Sequence, residues 1–474
     1  MAADEAGIQF SQPRLLLPGF FAFAALVLSL ASAQSEQVPV ASAKPQSSAH
    51  TAPGTLIWQD QYDQANRRDN AQAVASDKNV VVVAGASTGA DFVRNILVRA
   101  HEVRTGAILW QRTIDAGGFG DARAVKIGAN VAVVSGIVTS TKGDGDWMVA
   151  GLDLKTGEIL WRDTQDYEAG YDEATQVEIK DHRVFASGAA ACPVDTFYPC
   201  DMITRAYDLH SGRLLWQDRF DPNGGDDYAS GLTADGDLLF VVGASGSAND
   251  AESAFVVRAL DVQTGATQWQ DLVQDPGAYN WAIKNAVQGD RLFAVGFRQD
   301  DWVVRSYNTR NGQLLWEQTY RLEMGDAAPF DGAWFVATDE KHVVAAGYGS
   351  HAGPNFFSRA WVVNTYDLKT GTLLWSDVYD TSAADEAVGG LAINKGQVFA
   401  YGLASPQGQR MFLRAYGIED GRVLWEDASD APGSPWGVQV IGLAEDQGLV
   451  TIVGSIRGVN SSYWYVGTYD SGVR

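Results

Sequence analysis

The chain has 474 residues, carries a net charge of −23 at neutral pH, and is 46% hydrophobic and 11% aromatic. Such a composition can fill a large core and excludes a wholly disordered chain. The strong negative charge argues against a nucleic-acid partner, because the phosphates would be repelled. Length alone favours about three domains, and only the repeats described below favour a single one.

The chain begins with a segment that is typical of export signals. Arg14 is followed by an apolar run over residues 15–30, and this run ends in Ala-Ser-Ala. These features predict a signal peptide at residues 1–33, cleaved so that the mature chain begins near Gln34. Acidic residues ahead of Arg14 are unusual in a leader, so an uncleaved anchor remains the alternative.

Residues 34–53 are rich in Ser, Ala, Pro and Gln and show no hydrophobic periodicity. This composition predicts a flexible linker between the signal peptide and a folded region over residues 54–474. No later segment is apolar for long enough to span a bilayer. We therefore expect an exported protein, located in the periplasm or outside the cell.

A short pattern, a glycine four residues before a tryptophan, recurs along the folded region. Its intervals are about fifty residues, which is typical of propeller blades. The fullest form is Leu-Asp-Leu-Lys-Thr-Gly-Glu-Ile-Leu-Trp at residues 152–161. We expect each tryptophan to dock in a core, since one binding site would not require eight copies. The repeat tryptophans are Trp58, Trp110, Trp161, Trp216, Trp269, Trp316, Trp375 and Trp425.

Each repeat contains four candidate strands. In one of them, residues 204–208 and 213–216 predict two strands joined by a tight turn with Asp and Gly. Two more short strands lie upstream of each such pair; in the next repeat they are residues 231–234 and 238–243. Four antiparallel strands per period make one propeller blade, so the sequence predicts an all-β propeller.

The two ends of the folded region complement each other. The segment 54–58 has the pattern of an outer strand with no partner before it, whereas 463–470 has the pattern of a third strand with no fourth after it. Pairing of these two terminal strands would close the ring and remove exposed sheet edges. Counting this shared blade, we predict eight blades.

The repeat resembles the tryptophan-docking motif of the quinoprotein (PQQ-like) β-propeller family, because Ala259, Asp261, Thr264, Gly265 and Trp269 match Ala-x-Asp-x-x-Thr-Gly-x-x-x-Trp throughout. The resemblance covers about residues 54–474 and implies an eight-bladed propeller. It does not fix the chemistry, because one fold serves many functions. The family includes enzymes with pyrroloquinoline quinone (PQQ) and calcium. It also includes a periplasmic scaffold subunit of the outer-membrane β-barrel assembly machinery, which this chain resembles in blade type.

Blade three carries the only two cysteines, Cys192 and Cys200. In an exported chain they predict a disulfide that closes the loop between the second and third strands of that blade. Enzymes of the resembled family typically place two adjacent cysteines against the quinone, and this spacing cannot supply that feature.

Arginines recur at one position of the predicted third strand. Recurrence in so many blades favours a structural role, such as ion pairing or packing between blades. These residues are Arg99, Arg205, Arg258, Arg305 and Arg414.

The turns that enter the innermost strands supply the candidate binding residues. One interpretation is that their aspartates accept hydrogen bonds from amides of their own turns. The other is that they converge at one mouth of the channel, where carboxylates and tryptophans bind a cation, a basic group or a sugar. The candidate residues are Asp121, Asp172, Asp226, Trp281, Asp331, Asp385 and Trp436.

No catalytic residue, metal ligand set or cofactor is predicted, because the sequence has no nucleophile elbow, phosphate loop or metal-ligand spacing. We expect a monomeric, non-enzymatic scaffold or binding module whose partner is a protein or a basic peptide. A PQQ-dependent alcohol or sugar dehydrogenase with calcium is the alternative, and a lectin-like role in binding sugars or cations remains open.

Overall fold

The computed structural model describes residues 52–64, 67–139, 145–167, 170–193, 199–247, 252–322, 331–351, 358–380, 386–404, 410–429, 438–457 and 461–473. The predicted signal peptide and nearly all of the predicted linker lie outside these residues. Within the described chain there is no helix long and apolar enough to cross a membrane.

The described residues form eight four-stranded antiparallel sheets, each of them one propeller blade. Blades one and two contain β2 (Asn70–Asp77), β3 (Val80–Thr88), β4 (Arg94–Glu102), β5 (Ile108–Ile114), β6 (Gly120–Gly128), β7 (Val131–Thr139), β8 (Gly145–Asp153) and β9 (Ile159–Gln165). Blades three and four contain β10 (Gly170–Lys180), β11 (Arg183–Pro193), β12 (Asp201–Asp208), β13 (Leu214–Phe220), β14 (Asp227–Asp235), β15 (Leu238–Gly246), β16 (Ser253–Asp261) and β17 (Thr267–Val273).

Blades five and six contain β18 (Asn280–Gln288), β19 (Arg291–Arg298), β20 (Asp301–Asn308), β21 (Leu314–Tyr320), β22 (Gly332–Thr338), β23 (His342–His351), β24 (Ser358–Asp367) and β25 (Leu373–Tyr379). Blade seven contains β26 (Ala387–Asn394), β27 (Gln397–Ala404), β28 (Arg410–Gly417) and β29 (Val423–Ser429). Blade eight combines β30 (Val438–Asp446), β31 (Leu449–Arg457) and β32 (Ser462–Asp470) with β1 (Leu56–Tyr62).

The predicted eight-bladed propeller and its closure by the terminal strands are confirmed. β1 pairs with β32 in antiparallel register, with Gln59 opposite Gly467 and Tyr62 opposite Trp464. The N-terminal strand is therefore the outer strand of the last blade, and the ring has no open edge at its seam.

Among the described residues, the hydrophobic core lies mainly between blades, where it forms one cluster at each of the eight junctions. The cluster between blades one and two, for example, joins Val98 of β4 to Val134 of β7. Each sheet is apolar on both faces because both faces pack against neighbours. This explains why the second and third strands are continuous apolar runs without alternation.

Each repeat tryptophan donates its indole N–H to a main-chain carbonyl of the next blade. Trp161 donates to Leu209 O at 2.8 Å, and its ring covers Gly212. Gly212 has a φ of +66°, and a Cβ there would lie 2.5 Å from the ring, so this position requires glycine. The other pairs are Trp58–Val103, Trp110–Leu154, Trp216–Val262, Trp269–Thr309, Trp316–Leu368, Trp375–Ile418 and Trp425–Ser471.

The third-strand arginines pair with an aspartate on the outer strand of the preceding blade. Arg205 Nη1 lies 2.6 Å from Asp163 Oδ2, and Tyr207 donates to the same oxygen at 2.9 Å. The aspartate stands two residues after the repeat tryptophan in every case. The pairs are Arg99–Asp60, Arg205–Asp163, Arg258–Asp218, Arg305–Asp271 and Arg414–Asp377.

The predicted disulfide is also confirmed. Cys192 at the end of β11 is bonded to Cys200 just before β12. The bond closes the loop between the second and third strands of blade three, and both cysteines are buried.

Candidate functional site

The candidate site lies at one end of the central channel. The mouth face, as we term it, carries the connections between blades and those between second and third strands. The opposite end, the turn face, carries the Asp-x-x-Thr-Gly turns. The first strand of each blade surrounds the channel, as in propellers generally, and the candidate residues stand near the start of these first strands.

Strand pairing aligns the first strands residue by residue. In each blade an alanine or valine of the first strand faces a glycine of the second, as Ala174 faces Gly188. The residue before this alanine or valine is the rim residue, and the one before that is the cap residue. The cap residues are Asp69, Gly120, Asp172, Asp227, Asn280, Asp331, Glu386 and Val438. The rim residues are Asn70, Asp121, Glu173, Tyr228, Trp281, Gly332, Ala387 and Gln439.

Asp172 shows what a cap residue does. Its side chain is fully buried, and its carboxylate accepts the backbone N–H groups of Tyr167 and Ala191, each at 2.6 Å. One donor belongs to the connection from blade two and the other to the end of β11, so the carboxylate ties both segments to β10. Burial raises the pKa of Asp172 to about 7, and the two N–H donors oppose that rise.

Other cap residues repeat this arrangement. Asp331 accepts the N–H groups of Leu322 at 2.5 Å and Ser350 at 2.8 Å. Asp69 accepts two backbone N–H groups at 2.7 and 3.0 Å. Burial raises the pKa of both carboxyl groups. Asn280 keeps part of the pattern, because its Oδ1 accepts one N–H at 3.1 Å. At Asp69, Asp172 and Asp331, one of the two N–H donors belongs to the turn that enters the first strand, as the first interpretation expects, and the other belongs to the end of the second strand.

Asp121 is a rim residue, and its charge is paired. Arg94 and Arg123 lie 3.2 and 3.3 Å from Asp121 Oδ2. Arg123 also forms an ion pair with Glu173, the rim residue of blade three. Opposite charges therefore compensate one another along this side of the mouth.

Each first strand has a β-bulge one residue past the paired alanine or valine. A bulge redirects the side chain of the extra residue. Arg123 is one such residue. Two others, Thr175 and Ser230, also bond to the next blade: Thr175 donates to Ala229 O at 3.0 Å, and Ser230 accepts the indole N–H of Trp281 at 2.6 Å. These bulges link neighbouring first strands around the channel.

Trp281 forms an aromatic group beside the charged cluster. Its ring stacks on that of Tyr228, the rim residue of blade four, with centroids 6.2 Å apart. The edge of Phe297 approaches it at 6.3 Å. Both rim aromatics are half-buried, so each leaves part of its surface at the mouth.

Lys284 reaches from blade five to blade three. Its Nζ donates to Ser230 O at 3.2 Å and to Gln176 Oε1 at 2.9 Å. Because Gln176 belongs to β10, the side chain passes in front of blade four. Burial, together with the smaller effect of the nearby positive charge of Lys126, lowers the pKa of Lys284 to about 8. Lys126 itself pairs with Glu178 at 3.1 Å.

The seven candidate residues do not share one position. Two are cap residues, two are rim residues, one stands next to the cap residue of blade four, and two lie outside the described residues. In that order they are Asp172 and Asp331, Asp121 and Trp281, Asp226, and Asp385 and Trp436. Asp226 accepts the N–H of Cys200 at 3.0 Å. Whether any of them binds a ligand remains a prediction.

The basic residues of the mouth are absent from the sequence-based set. Arg123 and Lys284 stand at positions that are not basic in any other blade, and Arg94 shares its position only with Arg359, so the repeat pattern gives no strong signal for them. The available signal was a long basic side chain inside an otherwise small or apolar strand. Arg123 and Lys284 meet that description.

Large aromatic side chains are exposed on the mouth face. Phe92, in the loop between β3 and β4, is 68% exposed, and Phe119, just before β6, is 46% exposed. Tyr279, just before β18, is 44% exposed. The Arg67 guanidinium lies 3.7 Å from the centroid of Phe92, and that of Arg94 lies 5.7 Å from the centroid of Phe119.

Comparisons with known proteins agree with this architecture. The family model described as outer membrane protein assembly factor BamB matches residues 252–435. The chain has the PQQ-like propeller repeat. No curated protein sequence matches it.

Solved structures resemble the PQQ-like propeller over most of its length. A quinohemoprotein alcohol dehydrogenase from Pseudomonas putida has a TM-score of 0.60 at 14% identity, covering 89% of this chain and 76% of that one. The corresponding enzyme from Comamonas testosteroni gives 0.57 at 15% identity, with 89% and 77% covered. Saccharomyces cerevisiae Sqt1 gives 0.54 at 10% identity, with 87% and 99% covered. These likenesses show the fold alone.

The described channel residues do not fit PQQ with calcium. The two cysteines form a disulfide in a loop of blade three rather than an adjacent pair against a quinone. The channel carboxylates Glu173 and Glu178 are each paired with a basic side chain, Arg123 and Lys126 respectively, so neither offers an uncompensated charge to a calcium ion beside a quinone. We therefore derive no redox step for this PQQ-like propeller.

Proposed function

We propose that the protein is an exported, non-enzymatic scaffold propeller that binds a protein partner through its mouth face. The single observation that carries this proposal is the contrast on that face. The rim charges of Asp121, Arg123 and Glu173 are paired with each other. On the same face, the rings of Phe92, Phe119 and Tyr279 are 68%, 46% and 44% exposed.

Exposed aromatic side chains support protein binding more than small-molecule chemistry. Scattered apolar residues are normal on a protein surface, but aromatics next to arginine are enriched at protein interfaces. Arg67 over Phe92 and Arg94 near Phe119 form such a combination in blades one and two. The half-buried Tyr228 and Trp281 add a second aromatic group on the other side of the mouth.

The expectation of a basic partner stays a prediction. Asp121 already contacts two arginines, and the carboxylates of Asp172 and Asp331 bond to backbone N–H groups. Salt dependence of binding tests the charge of the partner, because surface electrostatic attraction is screened at high ionic strength.

Two further facts support the proposal. A structural disulfide is typical of oxidising compartments, and Cys192–Cys200 is one, which agrees with export. The family model that matches part of the chain is named for an outer membrane protein assembly factor, which agrees with a scaffold role.

Site-specific photo-crosslinking in the native cell tests the binding face. A photoreactive phenylalanine analogue is placed at Phe92 or Tyr279 on the mouth face, and at Lys155 or Lys369 on the turn face as matched exposed controls. We expect a discrete protein adduct from the mouth positions and none from the turn positions. Adducts from both faces alike, or from the turn face alone, would place the partner elsewhere.

A second variant separates loss of binding from loss of fold. Phe92→Ser with Phe119→Ser removes two exposed rings, so the melting temperature should change by less than about 2 °C, as surface substitutions usually do. The adduct from position 279 should fall at least about tenfold, since a few aromatic anchors dominate typical interfaces. Turnover of alcohols or sugars in a dye-linked assay with added PQQ and calcium would contradict the non-enzymatic proposal.

A further inference from the structure

Three aspartates, none of them a rim residue, meet at the junction of blades three and four. Asp201 begins β12, Asp221 follows β13, and Asp227 is the cap residue of blade four. One carboxylate oxygen of each lies within 4.8 Å of the others. Like charges at such distances repel one another strongly unless a cation joins them.

The same three positions are also acidic at the preceding junction, between blades two and three. Asp146, Asp166 and Asp172 stand there at identical spacing and also lie within 4.8 Å of one another. The oxygens of Asp172, however, accept two backbone N–H groups. That junction therefore has its own hydrogen bonds, and we do not assign an ion to it.

The junction of blades five and six shows another solution. Asp301 and Asp331 occupy the first and third positions, but Arg321 stands in place of the middle aspartate. Arg321 forms an ion pair with Asp301. A built-in cation thus balances the carboxylates there, which is the role that a bound ion would have between blades three and four.

The surroundings of Asp227 distinguish this junction from the other two. Its side chain is fully buried, and neither carboxylate oxygen has a hydrogen-bond partner of normal geometry among the described residues. Ser245 is the neighbouring hydroxyl, and it too lacks such a partner. A buried carboxylate without partners destabilises the folded state strongly unless an ion or a proton compensates its charge. Arg219, which pairs with Asp201, is 44% exposed on the side chain and balances one charge of the three.

The surrounding backbone is arranged to hold the three carboxylates. The connection Asp-Pro-Asn-Gly-Gly-Asp-Asp spans residues 221–227, and Asp221 Oδ1 accepts the N–H of Gly224 at 2.6 Å. Cys200 is fixed by its disulfide and immediately precedes Asp201. The carbonyl of Cys200 accepts the N–H of Asp227 at 2.9 Å. The disulfide therefore positions two of the three carboxylates.

We propose that Asp201, Asp221 and Asp227 form a calcium site at the mouth-face end of the junction between blades three and four. The donor set is entirely oxygen, which favours hard cations over zinc or copper. Calcium accepts irregular sets of six to eight oxygens, completed by main-chain carbonyls and water, whereas magnesium demands a near-ideal octahedron. A flexible glycine-containing connection and three carboxylates from different segments fit calcium better.

The site is tested by calorimetric titration of the full-length, disulfide-intact protein with CaCl2 after treatment with a chelator. We expect one calcium ion per chain and a melting temperature that rises with calcium concentration, because a ligand of the native state stabilises it. Asp221→Asn is the main variant, since Asp221 is exposed and its loss should not prevent folding. We expect it to weaken calcium binding at least about tenfold. Asp227→Asn should abolish binding.

Asp172→Asn is the matched control at the preceding junction and should bind calcium like the wild type. The proposal would be overturned if millimolar CaCl2 gave no heat of binding in the titration and no rise in melting temperature. Calcium binding that survives both Asp221→Asn and Asp227→Asn would also overturn it, because the ion would then bind elsewhere. Equal affinity for MgCl2 would overturn the assignment to calcium. None of these outcomes depends on whether the mouth face binds a protein.

Discussion

The backbone N–H of Gly54 donates to the carbonyl oxygen of Asp470 at 2.8 Å, across the two ends of the folded chain. The continuous turn of blade two has the same bond, from Gly157 to Asp153, also at 2.8 Å. The termini thus rebuild a standard turn from two separate pieces of chain.

The rebuilt turn also receives a repeat tryptophan. Trp425 donates its indole N–H to Ser471 O at 3.0 Å, and its ring covers Gly54. The N–H of Ser471 donates to Gly448 O, as the corresponding residue of blade two donates to Asn130 O. The contacts at the seam therefore match those of an uninterrupted junction.

The first prediction concerns this seam. Gly54 has a φ of +80°, and a Cβ there would lie 2.8 Å from Cε3 of Trp425, so Gly54→Val should strain the backbone and displace the ring. Gly236→Val is the control, because Gly236 also has positive φ but nothing within 4 Å of the added Cβ. We expect Gly54→Val to lower the melting temperature more than the control by several degrees, measured by circular dichroism. Equal losses would mean that Trp425 does not dock there.

Removal of residues 463–474 tests the same closure more drastically. β1 would lose β32, its partner strand in the described part of the chain, and expose a sheet edge, so we expect aggregation and a large fall in melting temperature. A truncated protein that melts like the full chain would show that the ring does not depend on this pairing.

A repeat tryptophan should be among the most costly positions to truncate. Trp161→Ala removes a buried ring and the bond to Leu209, and we expect a loss of about 3–5 kcal/mol of unfolding free energy. Trp161→Phe keeps a ring but loses the donor, at about 1 kcal/mol or more. Lys155→Ala on the adjacent turn should cost less than about 0.5 kcal/mol. Denaturant titration measures all three, and similar losses from the first and last would argue against docking.

We expect that neutral residues can replace Arg205 and Asp163 without a large loss of stability only when both positions are changed together. Arg205→Asn alone leaves a partly buried aspartate without its cation, and we expect a loss of about 1–3 kcal/mol. The structure contains a natural neutral alternative, because Gln318 and Asn364 occupy the equivalent positions of blades five and six. The double variant Arg205→Asn/Asp163→Gln should therefore recover part of the loss. A double variant less stable than the sum of its singles would contradict this interpretation.

Stability should depend on pH through Asp172. Its folded pKa is raised to about 7 by burial, above the ordinary value of 3.8. Between these values the unfolded carboxyl loses its proton while the folded one keeps it, so stability falls as pH rises from about 4 to 7. Asp172→Asn removes this dependence. We expect its melting temperature to fall less between pH 5 and pH 8 than that of the wild type, in the presence of chelator. Asp420→Asn, on an exposed turn, is the control, and equal slopes in all three proteins would refute the effect.

Much of the fold could be predicted from the sequence because the repeat encodes contacts that every blade must make. The tryptophan, the glycine four residues before it and the turn aspartate belong to one local contact, so their spacing is fixed. The disulfide and the structural role of the third-strand arginines were also predictable, because the two cysteines lie close together in the sequence and the arginines recur at one position of the repeat. Even the partner of each arginine can be recognised afterwards, since an aspartate stands two residues after the preceding tryptophan in all five cases.

The candidate site was less predictable, because the connections between blades differ in length. In Asp226-Asp227 two adjacent aspartates look alike, and only pairing of Ala229 with Gly243 shows that the second one is the cap residue. The same uncertainty placed Asp121 in one set with Asp172, although it stands one position later. The three carboxylates of the proposed calcium site had a readable signal, however. Asp201, Asp221 and Asp227 repeat the spacing of Asp146, Asp166 and Asp172.

The turn that is shared by Gly54 and Asp470 has a further consequence, for the order in which the blades are encoded. The turn at the seam is formed by two separate chain ends, yet it makes the same hydrogen bonds as a continuous turn. The fold therefore does not depend on where in the ring the chain begins and ends. A circular permutant that joins residue 473 to residue 52 through a short linker, and opens the chain between Lys155 and Thr156, would have the same eight junctions. The propeller is thus a closed ring whose starting point is arbitrary, and a gene encoding it could begin at any blade.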